Sequence, residues 1–380
     1  MTHSGHRTHD DRATDPGSAQ GREPRRPAAT GAAEQGRAED AETLAGVGEV
    51  ATLRRVFPRL PQSAAAVVGP GDDAAVLAAP DGRYVVTTDM MIEGPDFRWA
   101  WSSPEDLGWK AAATNLSDVA AMGARPTALV VAIAAPARTP VAVLESVADG
   151  FRLACEALAP GCGVVGGDLS VSSAFTLAVT AFGDLEGRPP VLRSGARPGD
   201  VVALAGTMGL AATGLRALFT EGVDDDGEPD AERAADLAAR VAEVAVQRRP
   251  MPPIAAGPTA AMGGSTAMLD VSDGLALDAG RIAEASGVRI DFSSAALGSD
   301  PAAALAGGED HALLACFPPS VALPEPFRAI GRVLAADADS SDAAGTGART
   351  GTGLGDGVAR ISVDGHPYAG AAGWDPYAAG

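Results

Sequence analysis

Apolar and polar residues alternate along the chain in two spacings that predict two kinds of element. Between residues 42 and 57 the apolar positions recur every three or four residues, which predicts a helix. Elsewhere, short apolar runs bounded by glycine, proline or aspartate predict strands. These predicted strands lie at 64–69, 84–86, 127–136, 161–170, 174–185 and 200–206.

The segment 103–124 shows both ends of a predicted helix. Ser103 can cap its amino end, and Pro104 suits the first helical position. Gly123 can end the helix, because glycine tolerates the left-handed backbone found there. Further helices are predicted at 140–158, at 210–219, before Arg249 and within 265–292. Strands that alternate with helices predict an α/β or α+β fold.

A segment rich in proline, glycine and arginine, residues 186–200, predicts a boundary between two domains. We expect an N-terminal domain over 42–186 and a C-terminal domain over 187–380. Residues 1–41 are polar and lack apolar periodicity, which predicts a disordered tail. Residues 335–359 are of low complexity and predict a flexible loop in the C-terminal domain.

The chain is strongly acidic, with a formal net charge of −20 at pH 7. Nucleic-acid binding needs clustered lysine and arginine, so this composition argues against nucleic acid as a partner. A phosphorylated small molecule is compatible with it, because a bound metal ion inverts the local charge.

The three cysteines, Cys155, Cys162 and Cys316, show neither metal-ligand spacing nor a disulfide framework. We expect buried thiols and a reduced, cytoplasmic setting. No apolar run approaches the length of about 18 residues that a membrane span needs, and no membrane association is expected. The first residues lack the apolar core of a secretory signal.

Acidic residues recur beside glycine, serine or threonine at the ends of apolar runs. Each one alone is typical of a turn, and Asp118 alone is typical of a solvated helix face. Together they predict a carboxylate cluster whose mutual repulsion a divalent cation such as Mg²⁺ relieves. No phosphate loop, dinucleotide or protein-kinase signature is present, so the pattern predicts metal-dependent phosphoryl transfer without one. These acidic residues are Asp72, Asp73, Asp89, Asp118, Asp168, Asp270, Asp273, Glu309 and Asp310.

An ordered set of short motifs resembles thiamine-monophosphate kinase, a family within the superfamily of aminoimidazole ribonucleotide synthetase and selenophosphate synthetase. Any one motif is unspecific, whereas the ordered set is highly specific. The motifs are GDDAA, TTDMMIEG, KAAATNLSDVAAMGA, GGDLS, RSGARPGD, DVSDGLALDAGRIA, SGV and GGEDHALL, with GWDPY near the C-terminus.

The resemblance implies two α/β domains, the first with a mixed sheet that forms a barrel across a homodimer. It implies ATP-dependent phosphorylation of thiamine monophosphate to thiamine diphosphate by direct in-line transfer. Several Mg²⁺ ions are implied as cofactors, ATP and thiamine monophosphate as partners, and no side chain as a general base.

Site residues follow from the motifs that match. The implied metal ligands are Asp73, Thr87, Thr88, Asp89, Asp118, Asp168, Asp270 and Asp273. The implied ATP contacts are Gly167, Asp168, Arg193 and Ser272. The implied contacts with thiamine monophosphate are Asp96, Glu309 and Trp374, whose indole face suits an aromatic or cationic ring.

The chain departs from the family pattern at three places. Asp96 stands where the family usually has histidine, and His311 stands where it has tyrosine. The segment 206–215 lacks the family's serine. All three departures leave the implied metal ligands unchanged.

Two alternatives stay open. Another ATP-dependent enzyme of the same superfamily would share the metal motifs, although NLSDVAAMGA and GGED favour thiamine-monophosphate kinase. A non-catalytic binder of nucleotide and thiamine phosphate is the second alternative, and Asp96 is its main support.

Overall fold

The computed structural model describes residues 42–69, 75–336, 357–371 and 373–374. The predicted tail, residues 1–41, and most of the predicted loop at 335–359 lie outside these residues. Within them, the strands form a two-stranded sheet of β1 (Ala66–Val68) and β2 (Val76–Leu77), a four-stranded sheet (the first sheet) and a seven-stranded sheet (the second sheet), and helices pack against the two larger sheets. The predicted α/β class is confirmed.

The helices are α1 (Leu44–Val47), α2 (Glu49–Val56), α3 (Pro104–Ala121), α4 (Val141–Leu158), α5 (Leu210–Glu221), α6 (Ala231–Arg240), α7 (Ala242–Arg248), α8 (Ala256–Met262), α9 (Leu275–Ser286) and α10 (Pro301–Ala306). The strands are β1 (Ala66–Val68), β2 (Val76–Leu77), β3 (Val85–Ile92), β4 (Arg125–Ala135), β5 (Gly163–Val171), β6 (Thr176–Asp184), β7 (Val201–Ala205), β8 (Ala267–Val271), β9 (Val288–Phe292), β10 (Ala312–Phe317), β11 (Arg328–Ala335), β12 (Ile361–Val363) and β13 (His366–Pro367).

The first sheet has the strand order β3-β6-β4-β5. β4 and β5 are parallel and the other pairs are antiparallel, so the sheet is mixed as predicted. Exposure alternates along β3, because successive side chains of a strand point to opposite faces. Thr87 and Asp89 therefore face α3, whereas Val86 and Thr88 face an open side of the sheet.

The second sheet has the strand order β13-β12-β9-β11-β7-β10-β8. Its edge strand β8 is buried along its whole length and pairs with β10, which places Asp270 opposite Leu313. The last strand of the first sheet, β6, ends at Asp184, and the first strand of the second sheet, β7, begins at Val201. The predicted boundary at 186–187 lies in that segment, and the division into separate domains stays a prediction.

Helix α3 packs against both sheets. Helices α3 and α4 cross closely, because one glycine of each helix lies against the backbone of the other helix. A Cβ atom on Gly108 would lie 2.1 Å from the carbonyl oxygen of Val147, and one on Gly150 would lie 2.2 Å from that of Glu105. Neither position has room for a side chain, so direct backbone contact fixes the position of α3.

Several local predictions were wrong. The helix predicted over 42–57 is interrupted at Gly48, which has φ of +79° and separates α1 from α2. Asp89 was predicted to follow a strand, but β3 continues through it because its pairing with β6 extends to Ile92 opposite Thr176. Strand β11 was not predicted at all.

The three cysteines are buried and form no disulfide bonds with one another, as expected. In the part of the chain that the structure describes, no helix combines the length and the apolar character that crossing a membrane requires.

Candidate active site

A cleft of about 690 Å³ opens beside α3. One wall comes from β3 and α3, and the opposite wall comes from α5, β8 and the turn at 306–311. Acidic residues from both halves of the chain line it. They are Asp89, Asp96, Asp106, Asp118, Asp270, Asp273 and Glu309.

Asp118 on α3 lies among other carboxylates. Burial raises its pKa to about 7, and the nearby charges of Asp270 and Asp89 add to the rise. Burial also raises the pKa of Asp89. The hydroxyl of Thr87 donates a hydrogen bond to Asp118 Oδ2 at 2.8 Å and thereby orients the carboxylate. A cation bound here would relieve the repulsion that disfavours ionisation.

Asp270 lies inside β8, and its carboxylate is held from two sides. Ser117 Oγ on α3 donates to Asp270 Oδ2 at 2.9 Å, and His311 Nδ1 lies 3.2 Å from the same oxygen. Burial opposes ionisation of Asp270, but the hydrogen bonds from His311 and Ser117 outweigh it and lower the pKa. The other ring nitrogen of His311 lies 3.2 Å from Thr114 Oγ1.

Asp273 and Asp278 share a single arginine at the start of α9. Arg281 Nη2 donates to Asp273 Oδ2 at 2.7 Å and also pairs with Asp278. Asp278 Oδ2 accepts hydrogen bonds from the backbone N–H groups of Asp273 and Gly274, at 3.0 and 3.2 Å. Asp278 therefore fixes the turn that presents Asp273, although burial raises its own pKa to about 7.

Glu309 is bound by two donors. Lys110 Nζ donates to its Oε1 at 2.9 Å, and Gln247 Nε2 donates to its Oε2 at 3.2 Å. The backbone of Glu309 has φ of +68°, which is uncommon outside glycine.

Lys110, Gln247 and His311 were not predicted as site residues. The spacing of Lys110, Thr114 and Ser117 along one face of a predicted helix was the signal that could have identified this wall.

Comparison with known proteins identifies the family. The N-terminal domain family of AIR synthase related proteins matches residues 71–185. Thiamine-monophosphate kinase of Mycobacterium tuberculosis is 44% identical over 358 residues, which cover 90% of this chain and 95% of that protein. The chain belongs to the thiamine-monophosphate kinase family. The Corynebacterium glutamicum member is 38% identical over 77% of this chain and 88% of its own length.

Solved structures of thiamine-monophosphate kinases share the fold. The enzyme from Stenotrophomonas maltophilia aligns with a TM-score of 0.63 at 27% identity, over 83% of this chain and 95% of that one. AaThiL complexed with AMPPCP and TMP aligns with a TM-score of 0.62 at 30% identity, over 80% of this chain and 90% of that one. The resemblance found in the sequence motifs is confirmed.

Most residues implied by the thiamine-monophosphate kinase motifs meet in the cleft. Those that line it are Asp89, Asp96, Asp118, Asp270, Ser272, Asp273, Glu309 and Trp374. Thr87 lies behind them, bonded to Asp118. Asp96 lines the cleft, but its Oδ2 also accepts a hydrogen bond from the backbone N–H of Ile92 at 2.7 Å.

Other implied residues lie elsewhere. Thr88 Oγ1 donates to the carbonyl oxygen of Val179 on the open side of the first sheet. Asp168 pairs in register with Ala132 and is exposed, as is its neighbour Gly167. Arg193 is exposed and does not line the cleft. Asp73 lies outside the described residues. Asn115, three residues before Asp118 on α3, is buried and donates a hydrogen bond to the carbonyl oxygen of Ala111.

The carboxylates that line the cleft supply oxygen donors of the type that Mg²⁺ prefers. Among the residues at 42–69, 75–336, 357–371 and 373–374, no group of three or more His, Cys, Asp or Glu side chains is arranged to hold a metal ion. Mg²⁺ is usually held by one or two carboxylates together with water and substrate phosphates. The oxygen donors Asp89, Asp118 and Asp270 suit that mode of binding.

Proposed function

We propose that this chain transfers the γ-phosphoryl group of ATP to thiamine monophosphate and so forms thiamine diphosphate. The observation that carries the proposal is the composition of the cleft. Carboxylates from β3, α3 and β8 face it together with Glu309 and Trp374, two of the three positions implied for the acceptor. Membership of the thiamine-monophosphate kinase family and the likeness to AaThiL complexed with AMPPCP and TMP support the same reaction.

We propose Asp89, Asp118, Asp270 and Asp273 as the residues that hold Mg²⁺. When bound, the ions would neutralise negative charge on the substrate phosphates. Thr87 orients Asp118, and Ser117 with His311 orients Asp270. Burial raises the pKa of Asp118 to about 7, and a bound cation would favour its ionised form.

The remaining residues act by position. Trp374 is 61% exposed and lines the cleft, where an indole can stack on an aromatic ring. Ser272 lies between Asp270 and Asp273 in the sequence and lines the cleft, which supports it as a contact for ATP. We assign no general base, because positioning and charge neutralisation supply most of the catalysis in phosphoryl transfer.

The open side of the first sheet supports a homodimer. Val86, Met90 and Ile92 are exposed there, and β3 and β5 are edge strands. An exposed apolar face on an open-edged sheet is typical of an interaction surface. Asp168 lies on the same face, so a second copy would cover it. We further propose a cytoplasmic location, which the three unpaired cysteines favour.

The deciding experiment is a product assay. Purified chain with ATP and thiamine monophosphate should form thiamine diphosphate with Mg²⁺ and not with a chelator, as read by chromatography. Folded protein that binds both ligands but forms no product would support the non-catalytic alternative. Product formation from a different phosphate acceptor would instead indicate another enzyme of the superfamily.

A further inference from the structure

Glu309 reaches the cleft with both carboxylate oxygens already engaged. Its two partners come from separate helices, Lys110 from α3 and Gln247 from α7. Lys110 and Gln247 are both buried, since the Lys110 side chain is 7% exposed and the whole Gln247 residue is 6% exposed. The Glu309 side chain is 35% exposed. The exposed part of Glu309 is therefore the part that a ligand can touch.

The backbone under Glu309 is also constrained. Its N–H donates to the carbonyl oxygen of Ser272 at 2.7 Å, and its φ is positive. The preceding Gly308 packs so tightly that a Cβ atom would lie 2.3 Å from the same oxygen. A side chain fixed at its backbone and at both oxygens has little freedom left, which is what a pre-organised binding group requires.

The charge of Lys110 changes what Glu309 can recognise. Burial favours the neutral carboxyl, but the ammonium of Lys110 and the hydrogen bond from Gln247 outweigh it and lower the pKa of Glu309. At 2.9 Å the ammonium offsets much of the carboxylate's field, so a second full cation gains little beside it. Each oxygen still has a lone pair free to accept an N–H hydrogen bond.

We propose that Lys110 and Gln247 are positioning residues that make Glu309 a fixed hydrogen-bond acceptor for the exocyclic amino group of the acceptor's aminopyrimidine ring. Glu309 is thus not the counter-ion of the thiazolium ring. This inference rests on the proposed function, because it names the group of thiamine monophosphate that the cleft selects.

The first test is a double-mutant cycle with Lys110→Met, Glu309→Met and the double variant. Methionine is close in length to each side chain, and replacing both members of the pair avoids an unpaired charge. Lys110→Met should raise KM for thiamine monophosphate by about tenfold or more, with kcat and KM for ATP within about twofold. Glu309→Met should do the same, and the double variant should be no worse than Glu309→Met alone.

The second test uses oxythiamine monophosphate, which carries oxygen in place of that amino group. The unaltered protein should discriminate against it by about tenfold or more in kcat/KM, and Glu309→Met should lose the discrimination. If Lys110→Met does not fold, Gln247→Leu serves as the second variant and should also raise KM for thiamine monophosphate selectively.

Three results would overturn the inference. They are an unchanged KM for thiamine monophosphate in Lys110→Met, independent multiplicative effects of the two substitutions, or equal use of oxythiamine monophosphate by the unaltered protein. Absence of any turnover by the unaltered protein would overturn the proposed function, and this inference with it. Turnover without the selective change in KM overturns only the inference.

Discussion

Ser117 on α3 donates a hydrogen bond to Asp270 on β8 across 2.9 Å, and so links the helix of the first half to the edge strand of the second. Because Asp270 is a proposed Mg²⁺ ligand, this contact connects the packing of the two halves to the orientation of a ligand. Thr87 and Asp118, which both lie in the first half of the chain, form a similar hydrogen bond.

Ser117→Ala removes that donor and should lower cation affinity more than stability. Loss of the hydrogen bond should cost about 1 kcal/mol of unfolding free energy. Loss of a partner that orients a metal ligand typically costs about 10- to 100-fold in metal affinity or activity. Mn²⁺ binding followed by electron paramagnetic resonance, with Ser320→Ala on the surface as control, checks the expectation. Equal Mn²⁺ affinity in both variants would contradict it.

Asp118→Asn should lower activity without lowering the stability of the metal-free protein. The amide keeps an oxygen for Thr87 but removes one charge from the carboxylate cluster, so the metal-free protein should melt at an equal or higher temperature. Activity should fall by about a hundredfold or more, since even outer partners of a metal ligand cost about 10- to 100-fold. Calorimetry with a chelator and the product assay measure the two effects, and Glu156→Gln on α4 is the matched surface control. A lower melting temperature without metal would argue against the repulsion.

Asp106→Asn should show a defined pH dependence. Burial would raise the pKa of Asp106, but hydrogen bonds from Arg249 and Ser103 outweigh it and lower the pKa. The ionised group thus stabilises the fold above its unfolded pKa of 3.8, and the contribution is lost as the pH falls through the lower folded value. The variant should be less stable by about 1.5–3 kcal/mol at pH 7, the value typical of hydrogen bonds to charged groups. Urea unfolding should show the same difference from pH 8 to pH 5, and a difference that narrows only at more acid pH. A difference that disappears between pH 7 and pH 5 would assign the effect to another group.

Val86→Glu tests the open face of the first sheet. A charge at this exposed position, 60% accessible, should weaken association of two copies and shift the molar mass measured by light scattering toward the monomer. Met262→Glu is the control, because Met262 has a similar exposure of 68% and lies at the end of α8. A monomer mass for the unaltered protein and for both variants would contradict the homodimer proposal.

The sequence predicts the fold well where the signals are local. The helix from Pro104 is bounded by a cap that the structure contains as the capping box of Ser103 and Asp106. β3 was predicted too short because Thr87 and Asp89 are polar, and only the partner strand shows that they face inward. The motifs likewise identify Asp118 and Asp270 but not the distance between them.

The unpredicted part of the site depends on contacts between distant residues. Lys110 and Glu309 are 199 positions apart, and Gln247 comes from a helix with no motif of its own. The register of β5 places Asp168 on the face opposite Asp89, which no spacing along the chain reveals. Such relations follow from sheet register and helix packing, and these are set by the whole fold.

The backbone contact of Gly108 with α4 also limits how the length of this chain can change over evolution. Lys110 and Asp118 stand eight residues apart on a helix that cannot slide, a separation of about 12 Å along its axis. Inserting one residue between them would turn one end by about 100° relative to the other. We therefore expect descendants of this protein to gain or lose residues in surface segments such as 224–229, and to keep the count between Lys110 and Asp118 constant.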